Sequence, residues 1–394
     1  MATAAHPLTP AAASRAKASA FLALFCCGLW VTSFGPALPF IAREANVGLG
    51  TAGFVLTAVA GGSISASALV SLRLGRVDSR LLIALGLGVA SLGLAALAVA
   101  PSFALMLLAA VLLGTGDGLV VAATHALVTI VGDDVPRAIN RLNVFFALGA
   151  IVGPLWAGAS LSLTDDITLT YAGLAVAVLA CGAFCWRTPR AGAAGEEHLV
   201  ITINRSVAVM GLVLFCYVGA EIGLGAWVSS YTERVAEAGV MAGALVTCGY
   251  WGALAIGRVA TGRLLQSHDA ARLLALAIAA AGASGLVLAI FGDVLAVAFA
   301  AAFVTGLAFG PIWPLSMAIG VHEGTTSTTA AMVTIGNSGA LVFPVIQGAV
   351  LASAGPREGV AVTPALCAMM LTFMFVHARA SRGMPLAHAD TIGG

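Results

Sequence analysis

The chain has 394 residues, of which 60% are hydrophobic, 9% are charged and 47 are glycine. Soluble domains carry about 25% charged residues, so this composition excludes an ordinary water-soluble protein. The 18 basic and 17 acidic side chains nearly cancel, which leaves no excess of positive charge to neutralise nucleic-acid phosphates. We therefore expect a membrane protein with no nucleic-acid partner.

Apolar segments of membrane-spanning length recur along the whole chain. A bilayer core about 30 Å thick needs about 20 apolar residues per helix, and a helix satisfies its own backbone groups in lipid. Hydropathy and helix-breaking residues predict an all-α fold of twelve transmembrane helices, near residues 18–42, 51–72, 81–100, 103–130, 138–162, 167–187, 206–230, 240–264, 272–292, 294–319, 328–353 and 361–378. The prolines of Pro311–Pro314 are expected to kink the tenth helix.

The basic residues are distributed unevenly between the predicted loops. An even number of helices puts both termini on one side, and most arginines fall at or near that side, the exceptions being Arg43, Arg234 and Arg357. The positive-inside rule therefore predicts cytoplasmic termini in a multi-pass protein of the inner (plasma) membrane. The first apolar segment follows Arg15 and Lys17 but is long and lacks a small-residue cleavage site, so we interpret it as a helix and not as a cleaved signal peptide.

A repeat with an offset of 190 to 192 residues runs through the chain. Its matching pairs are Ala52-Gly53 with Ala242-Gly243, Gly62 with Gly252, Arg73 with Arg263, Arg80 with Arg272, Gly114 and Gly118 with Gly306 and Gly310, and Gly149 and Pro154 with Gly339 and Pro344. Six matches in register across five helices predict two pseudo-symmetric six-helix bundles. The expected domains are residues 1–187 and 206–394, joined by a polar cytoplasmic linker at 188–205.

Two parallel six-helix halves place a cavity at their interface, as secondary transporters that work by alternating access do. The loop after the second helix reads LRLGRVDSR (Leu72–Arg80), and its counterpart in the second half reads GRVATGRLL (Gly257–Leu265). In this layout the chain resembles the major facilitator superfamily, whose basic motif is matched by Arg73, Gly75 and Arg76. The resemblance implies a gating role for these three residues, and Leu72 departs from it because the family usually has an acidic residue there.

Two stretches, Gly114–Pro154 and Tyr217–Tyr231, resemble the fucose-permease-like sugar:proton symporters within that superfamily. The resemblance implies import of a hexose or deoxyhexose with protons. It has two departures: His125 stands where relatives typically carry asparagine, and Val121 lies near a position that is acidic in relatives. Asp117, one turn before Val121 on the same helix face, is a candidate to replace that acidic residue.

Three titratable residues inside the predicted helices are candidates for coupling. A carboxylate in the middle of a membrane costs about 3 kcal/mol on insertion scales, so each needs a partner or a task. Glu221 is expected to accept hydrogen bonds from the solute or to carry a proton, and the alternative is a structural pair across the bundle. Asp117 is assigned to coupling, with an interhelical hydrogen bond as its alternative. His125 is either a proton relay or a neutral imidazole bonded to a hydroxyl such as that of Thr124.

A sugar site also needs aromatic faces and neutral amides. The candidates for substrate binding are Trp30, Tyr217, Trp227, Tyr250, Trp251, Trp313, Asn143, Asn337 and Gln347. Ordinary packing is the alternative for all of them, and the membrane-interface belt is a further alternative for Trp30, Trp227 and Tyr231. Arg258 lies about one turn from the end of the eighth helix, where we expect it to act in gating or anchoring and not as a substrate ligand.

The sequence offers no support for an enzyme, because it lacks nucleotide-binding, zinc-protease and serine-hydrolase motifs. The seven cysteines lie in apolar segments without a CxxC pair, so neither a metal nor another cofactor is expected. We predict a monomeric secondary transporter for a small polar solute, coupled to protons, with sodium as the alternative ion. The alternative functions are a proton-antiporting exporter of drugs or metabolites and a membrane receptor or scaffold.

Overall fold

The computed structural model of the protein describes residues 9–70, 77–131, 135–188, 205–266, 268–321 and 326–382. Within these ranges the chain is helical and contains no strand. Twelve helices are long and apolar enough to cross a membrane: α1 Pro10–Glu44, α2 Leu49–Leu69, α3 Ser79–Ala98, α4 Phe103–Val131, α5 Val135–Thr164, α6 Thr168–Trp186, α7 Arg205–Val235, α8 Val240–Leu264, α9 Ala270–Phe291, α10 Leu295–Gly320, α11 Thr326–Ser353 and α12 Pro356–Arg382.

These helices confirm the twelve that the hydropathy pattern predicts. α2 is interrupted at Gly53, and α10 is interrupted between Phe309 and Ile312, where the prolines of Pro311–Pro314 predict a kink. A proline lacks the amide that an uninterrupted helix would use, so the break in α10 has a local cause. Residues 189–204, which make up most of the predicted linker, lie outside the described residues.

Two helices of the sequence repeat begin with the same cap. The carboxylate of Asp78 accepts a hydrogen bond from the backbone amide of Arg80 at 3.0 Å, where α3 begins. The carboxylate of Asp269 accepts one from the amide of Arg272 at 2.9 Å, where α9 begins. An acidic N-cap satisfies a backbone amide that has no partner in the first helical turn, which helps to fix where each helix starts.

Glycines bring the helix backbones into direct contact, and they do so at repeated positions. Gly149 of α5 lies against the Phe25 carbonyl of α1, and Gly339 of α11 lies against the Phe215 carbonyl of α7. A Cβ atom on either glycine would overlap that carbonyl oxygen. Since Gly149 and Gly339 are partners in the sequence repeat, the packing of α1 on α5 is repeated as the packing of α7 on α11.

The buried apolar residues form two clusters. The first combines residues of α1 to α6 with Ala226, Trp227 and Leu351, and the second combines residues of α7 to α12 with Ala150. Each half of the helices therefore has its own core. The four residues that join the opposite cluster show where the two halves touch.

Contacts between the halves are tight where α1 connects to α2 and α7 connects to α8. A Cβ atom on Gly35 of α1 would lie 2.8 Å from the carbonyl oxygen of Gly225 of α7, and one on Gly50 of α2 would lie 2.6 Å from that of Gly348 of α11. The hydroxyl of Thr57 also donates to the Leu341 carbonyl at 2.9 Å. We call the region around these contacts the closed end, and it lies opposite the first residues of α1.

Candidate functional site

A buried ion pair joins α7 to α8. The Nη2 atom of Arg258 lies 2.6 Å from the Oε1 atom of Glu221. The Glu221 side chain is 7% exposed and the Arg258 side chain is 28% exposed, so the carboxylate is enclosed while the arginine reaches open space. This contact gives Glu221 a charged partner on the neighbouring helix of the same half, and it places the Arg258 side chain beside that carboxylate.

Aromatic side chains surround the pair. The Tyr217 hydroxyl lies 3.4 Å from Nη2 of Arg258, and the Tyr250 hydroxyl donates to the backbone carbonyl of Glu221 at 2.9 Å. The Tyr217 ring meets the edge of Phe309 with 5.6 Å between ring centroids, and it lies 6.4 Å from the Trp313 ring. Four predicted site residues thus lie together with Arg258: Glu221, Tyr217, Tyr250 and Trp313.

α5 and α8 line a cavity of about 350 Å³ on the side away from the closed end. Its polar lining consists of Asn140 and Asn143 from α5 and Arg258 and Arg263 from α8, and the rest is aliphatic. The volume lies in the range of small-molecule sites. Of the predicted amides, Asn143 therefore borders a cavity between the two halves.

Asn140 is a lining residue that the sequence reasoning missed. A usable signal was present, because residues three apart on a helix share a face and Asn140 precedes Asn143 by that spacing. Arg263 is the repeat partner of Arg73, and it follows Arg258 on α8 by a little more than one turn.

The second buried carboxylate, Asp117 of α4, has neutral donors. The indole Nε1 of Trp30 on α1 donates to Oδ1 at 3.1 Å, and the Ser63 hydroxyl on α2 donates to Oδ2 at 2.7 Å. Trp30 is fully buried and Asp117 is 8% exposed. Trp30 is thus a partner of Asp117 and is not at the membrane interface. Ser63 was not a candidate, since nothing in the sequence distinguishes it from the many other serines and threonines of the chain.

His125 bonds to its own helix. Its Nδ1 donates to the Val121 carbonyl at 2.8 Å, and the Thr124 hydroxyl donates to the same carbonyl at 3.0 Å. The imidazole therefore does not use Thr124 as its partner, contrary to one of the two expectations. Among the described residues no hydrogen bond connects His125 with Asp117.

Trp227 and Gln347 lie in the packed interior. The Trp227 indole donates to the Pro344 carbonyl at 2.8 Å, and its ring packs on Gly53 and Gly348 at the closed end. Gln347 is 1% exposed, donates from Nε2 to the Thr363 hydroxyl at 3.0 Å, and neither residue lines the α5–α8 cavity. Both contacts agree with the packing alternative.

The remaining candidates make no hydrogen bond to the ion pair among the described residues. Trp251 is buried with its ring on Gly225, and Asn337 is exposed on α11 and does not line the cavity. The gating candidates Arg73, Gly75 and Arg76 lie outside the described residues. No group of three or more histidine, cysteine or acidic side chains within the described ranges could hold a metal ion.

Comparison with known proteins identifies the fold. The sequence profile of the Major Facilitator Superfamily matches residues 20–344. No curated protein matches the chain.

Solved structures of transporters superpose on nearly the whole chain. A bacterial homologue of the human lysosomal transporter Spinster, in an inward-facing and occupied conformation, has a TM-score of 0.75 at 14% identity and covers 95% of this chain and 98% of its own. The nucleoside transporter NupG has a TM-score of 0.73 at 11% identity and covers 94% of this chain and 98% of its own. The human organic anion transporter MFSD10 has a TM-score of 0.68 at 16% identity and covers 93% of this chain and 100% of its own. At these identities the likeness concerns the fold.

Proposed function

The chain belongs to the major facilitator superfamily, and from this premise we propose that it imports a small polar solute, a hexose or deoxyhexose first, together with protons. The superfamily consists of transporters, so the chain is a multi-pass membrane protein that moves a small solute and is not an enzyme. In our proposal the halves 1–187 and 206–394, joined by the linker 188–205, rock about the solute by alternating access.

The ion pair of Glu221 and Arg258 carries this proposal. A carboxylate buried in the membrane is stable while its arginine partner is near, and it becomes neutral when it takes up a proton. Neutralisation weakens the attraction to Arg258, whose side chain borders the cavity between α5 and α8. A proton bound by Glu221 would in this way change the lining of the cavity, which is the link that coupled transport requires.

Asp117 is our second candidate for a coupling carboxyl. Its partners Trp30 and Ser63 are neutral, so no positive charge holds it in the ionised form. It belongs to the first half, whereas Glu221 belongs to the second. His125, two turns further along α4, remains a candidate relay between Asp117 and the aqueous side.

The arrangement of contacts and cavity supports an inward-facing state. If the termini are cytoplasmic, the closed end lies at the outer face and the cavity lies toward the cytoplasm. The bacterial homologue of Spinster with the similar fold is described as inward-facing. We place the chain in the inner (plasma) membrane as a monomer.

Export of drugs or metabolites against protons is the second candidate function. It is favoured by the lining of the cavity, where aliphatic side chains such as Val144, Leu148, Ile256 and Val259 outnumber the polar ones. Apolar solutes bind to such surfaces by losing contact with water.

Uptake into proteoliposomes tests the proposal. We would present a panel of labelled hexoses, deoxyhexoses and sugar acids under an imposed inward proton gradient, under an inward sodium gradient, and under neither. Accumulation of one sugar with the proton gradient, lost in Glu221→Gln, is the expected result. Accumulation with the sodium gradient alone would show that sodium is the coupling ion. Expulsion of dyes or drugs with no sugar uptake would favour export over import.

A further inference from the structure

We propose that Arg258 is a ligand for the transported solute and that this solute carries a carboxylate. The inference rests on the proposed function, because it takes the cavity between α5 and α8 to lie on the transport route. It keeps proton-coupled import of a small polar solute and replaces the neutral hexose by a small organic acid, with sugar acids as the members that also fit a polyol site.

The Arg258 side chain contacts Glu221 and also lines the cavity. On one side its Nη2 atom contacts the Oε1 atom of Glu221 at 2.6 Å, and on the other its side chain lines the cavity of about 350 Å³. The exposed fractions of 28% for Arg258 and 7% for Glu221 show which partner faces the cavity. A solute that enters from the open side therefore meets the cation first and is separated from the carboxylate by it.

Not every N–H donor of the Arg258 guanidinium has an acceptor within the part of the chain that the structure describes. Nη2 serves both Glu221 and the Tyr217 hydroxyl, whereas the buried Nε atom has no hydrogen-bond partner among the described residues. An arginine has five N–H donors in a planar fork, which matches the two oxygens of a carboxylate. A buried donor without a partner is unfavourable, so a ligand that reorients the guanidinium and engages Nε gains an additional hydrogen bond.

Glu221 and the carboxylate of a solute would compete for the same guanidinium. When Glu221 is ionised, it holds Arg258 and competes with the solute. When a proton from the aqueous side neutralises Glu221, Arg258 is free to bind the solute carboxylate. Each anion then requires one proton, so the charge moved per cycle through this site is zero.

The titratable side chains next to the pair are neutral, so the charges at this site are those of Glu221 and Arg258. Among the described residues, the titratable groups that interact with them are Tyr217 on α7 and Tyr250 on α8, and Tyr250 also interacts with the Cys367 thiol of α12. Free tyrosine and cysteine side chains are neutral at physiological pH. Protonation of Glu221 is consequently the charge change that the site offers.

The opposite wall of the cavity supplies neutral hydrogen-bonding groups. Asn140 and Asn143 belong to α5 of the first half, whereas Arg258 belongs to α8 of the second. A solute with a carboxylate at one end and hydroxyls at the other would contact both halves. Such a bridge binds one relative position of the halves better than the other, which is what a transported solute must do.

Binding of matched probes tests the inference. D-galactose and D-galacturonate differ by the replacement of a hydroxymethyl group by a carboxylate, and benzyl alcohol and benzoate form a second pair of the same kind. Affinities would be measured on the full chain in nanodiscs between pH 5 and pH 8. We expect the acid of at least one pair to bind tenfold or more tightly than its neutral partner, and to bind better at the lower pH.

The variants assign the effect to residues. Arg258→Gln should abolish the preference for the acid, and Arg258→Lys should retain part of it. Arg272→Gln, which removes an exposed arginine at the start of α9 that does not line the cavity, should leave the preference unchanged. Glu221→Gln should make the affinity for the acid independent of pH. Because Arg258→Gln leaves a buried carboxylate unpaired, the double variant Glu221→Gln, Arg258→Gln serves as its folded counterpart, and it should also lack the preference.

The inference is wrong if no acid binds better than its neutral partner, or if the double variant keeps the preference. These results are distinct from failure of the proposed function. Proton-driven accumulation of a neutral hexose, with no tighter binding of either acid, would support the symport and contradict the anion site. Acid binding that depends on Arg258, without proton-driven accumulation, would support the anion site and contradict the symport.

Discussion

The carboxylate of Glu221 and the guanidinium of Arg258 lie 2.6 Å apart although 37 residues separate them in the chain. They come from neighbouring helices, α7 and α8, which the sequence connects through residues 236–239. The contact buries one charge almost completely and leaves the other at the edge of the cavity. In our proposal the more exposed partner, Arg258, is the one that a solute reaches.

Removal of the arginine alone should be costly. Arg258→Gln leaves Glu221 buried without a cation, and breaking a buried pair in this way lowers the free energy of unfolding by about 3 kcal/mol. The double variant Glu221→Gln, Arg258→Gln should recover most of that loss, because two amides can bond to one another. Thermal and chemical unfolding in detergent measure the stability of both variants. Equal stability of the single and double variants would show that leaving Glu221 without its cation carries no penalty.

Trp30→Phe tests the bond that holds Asp117. The substitution keeps the aromatic packing and removes the 3.1 Å hydrogen bond from the indole to Oδ1. Removing the indole donor leaves a buried acceptor without that partner, which costs about 1–3 kcal/mol, so we expect a loss of stability in that range. Trp186→Phe is the control, because its ring is 52% exposed, and an equal loss in both variants would argue against a special role of the Trp30 bond.

Gly35→Ala should disfavour the closed end. A Cβ atom at this position would lie 2.8 Å from the Gly225 carbonyl, so α1 and α7 must separate to accommodate it. We expect distances between spin labels across the closed end to shift toward the open population. Gly262→Ala on α8 is the control, since a Cβ atom there meets nothing within 4 Å. An unchanged distance distribution in Gly35→Ala would contradict the assignment of this contact to closure.

The two asparagine candidates should behave differently. Asn143 lines the cavity and Asn337 does not, although both are exposed. Loss of one hydrogen bond to the solute costs about 1–1.5 kcal/mol, so Asn143→Ala should raise the KM for the solute that the uptake panel identifies about tenfold. Asn337→Ala should leave the KM within about twofold. The opposite order of effects would move the solute site away from α5 and toward α11.

The sequence predicts the fold far better than the site. Helix number, the break at Pro311–Pro314 and the repeated glycine contacts follow from hydropathy, from proline geometry and from a constant offset, all of which are visible along one chain. The partner of Glu221 does not follow, because the rotation of α7 against α8 decides whether Arg258 points to the carboxylate or toward the end of its helix. The sequence therefore suggested an anchoring role for Arg258, and the structure places it against Glu221.

Tryptophans show the same limit. Trp30 and Trp227 have the same composition-based argument for a sugar site, yet one donates to Asp117 and the other packs on Gly53 and Gly348. Composition indicates that an indole needs a hydrogen-bond acceptor when buried, and it does not indicate which acceptor. Spacing on one helix carried more information, because it relates Asn140 to Asn143.

A comparison of accumulation with exchange in Glu221→Gln tests the central claim most directly. Proteoliposomes containing this variant would be assayed once for solute accumulation under an inward proton gradient and once for exchange of labelled for unlabelled solute without a gradient. If protonation of Glu221 couples the solute to the gradient, accumulation falls to background while exchange continues at a rate comparable to that of the wild type. Accumulation equal to that of the wild type would show that the proton is carried elsewhere and would contradict the account.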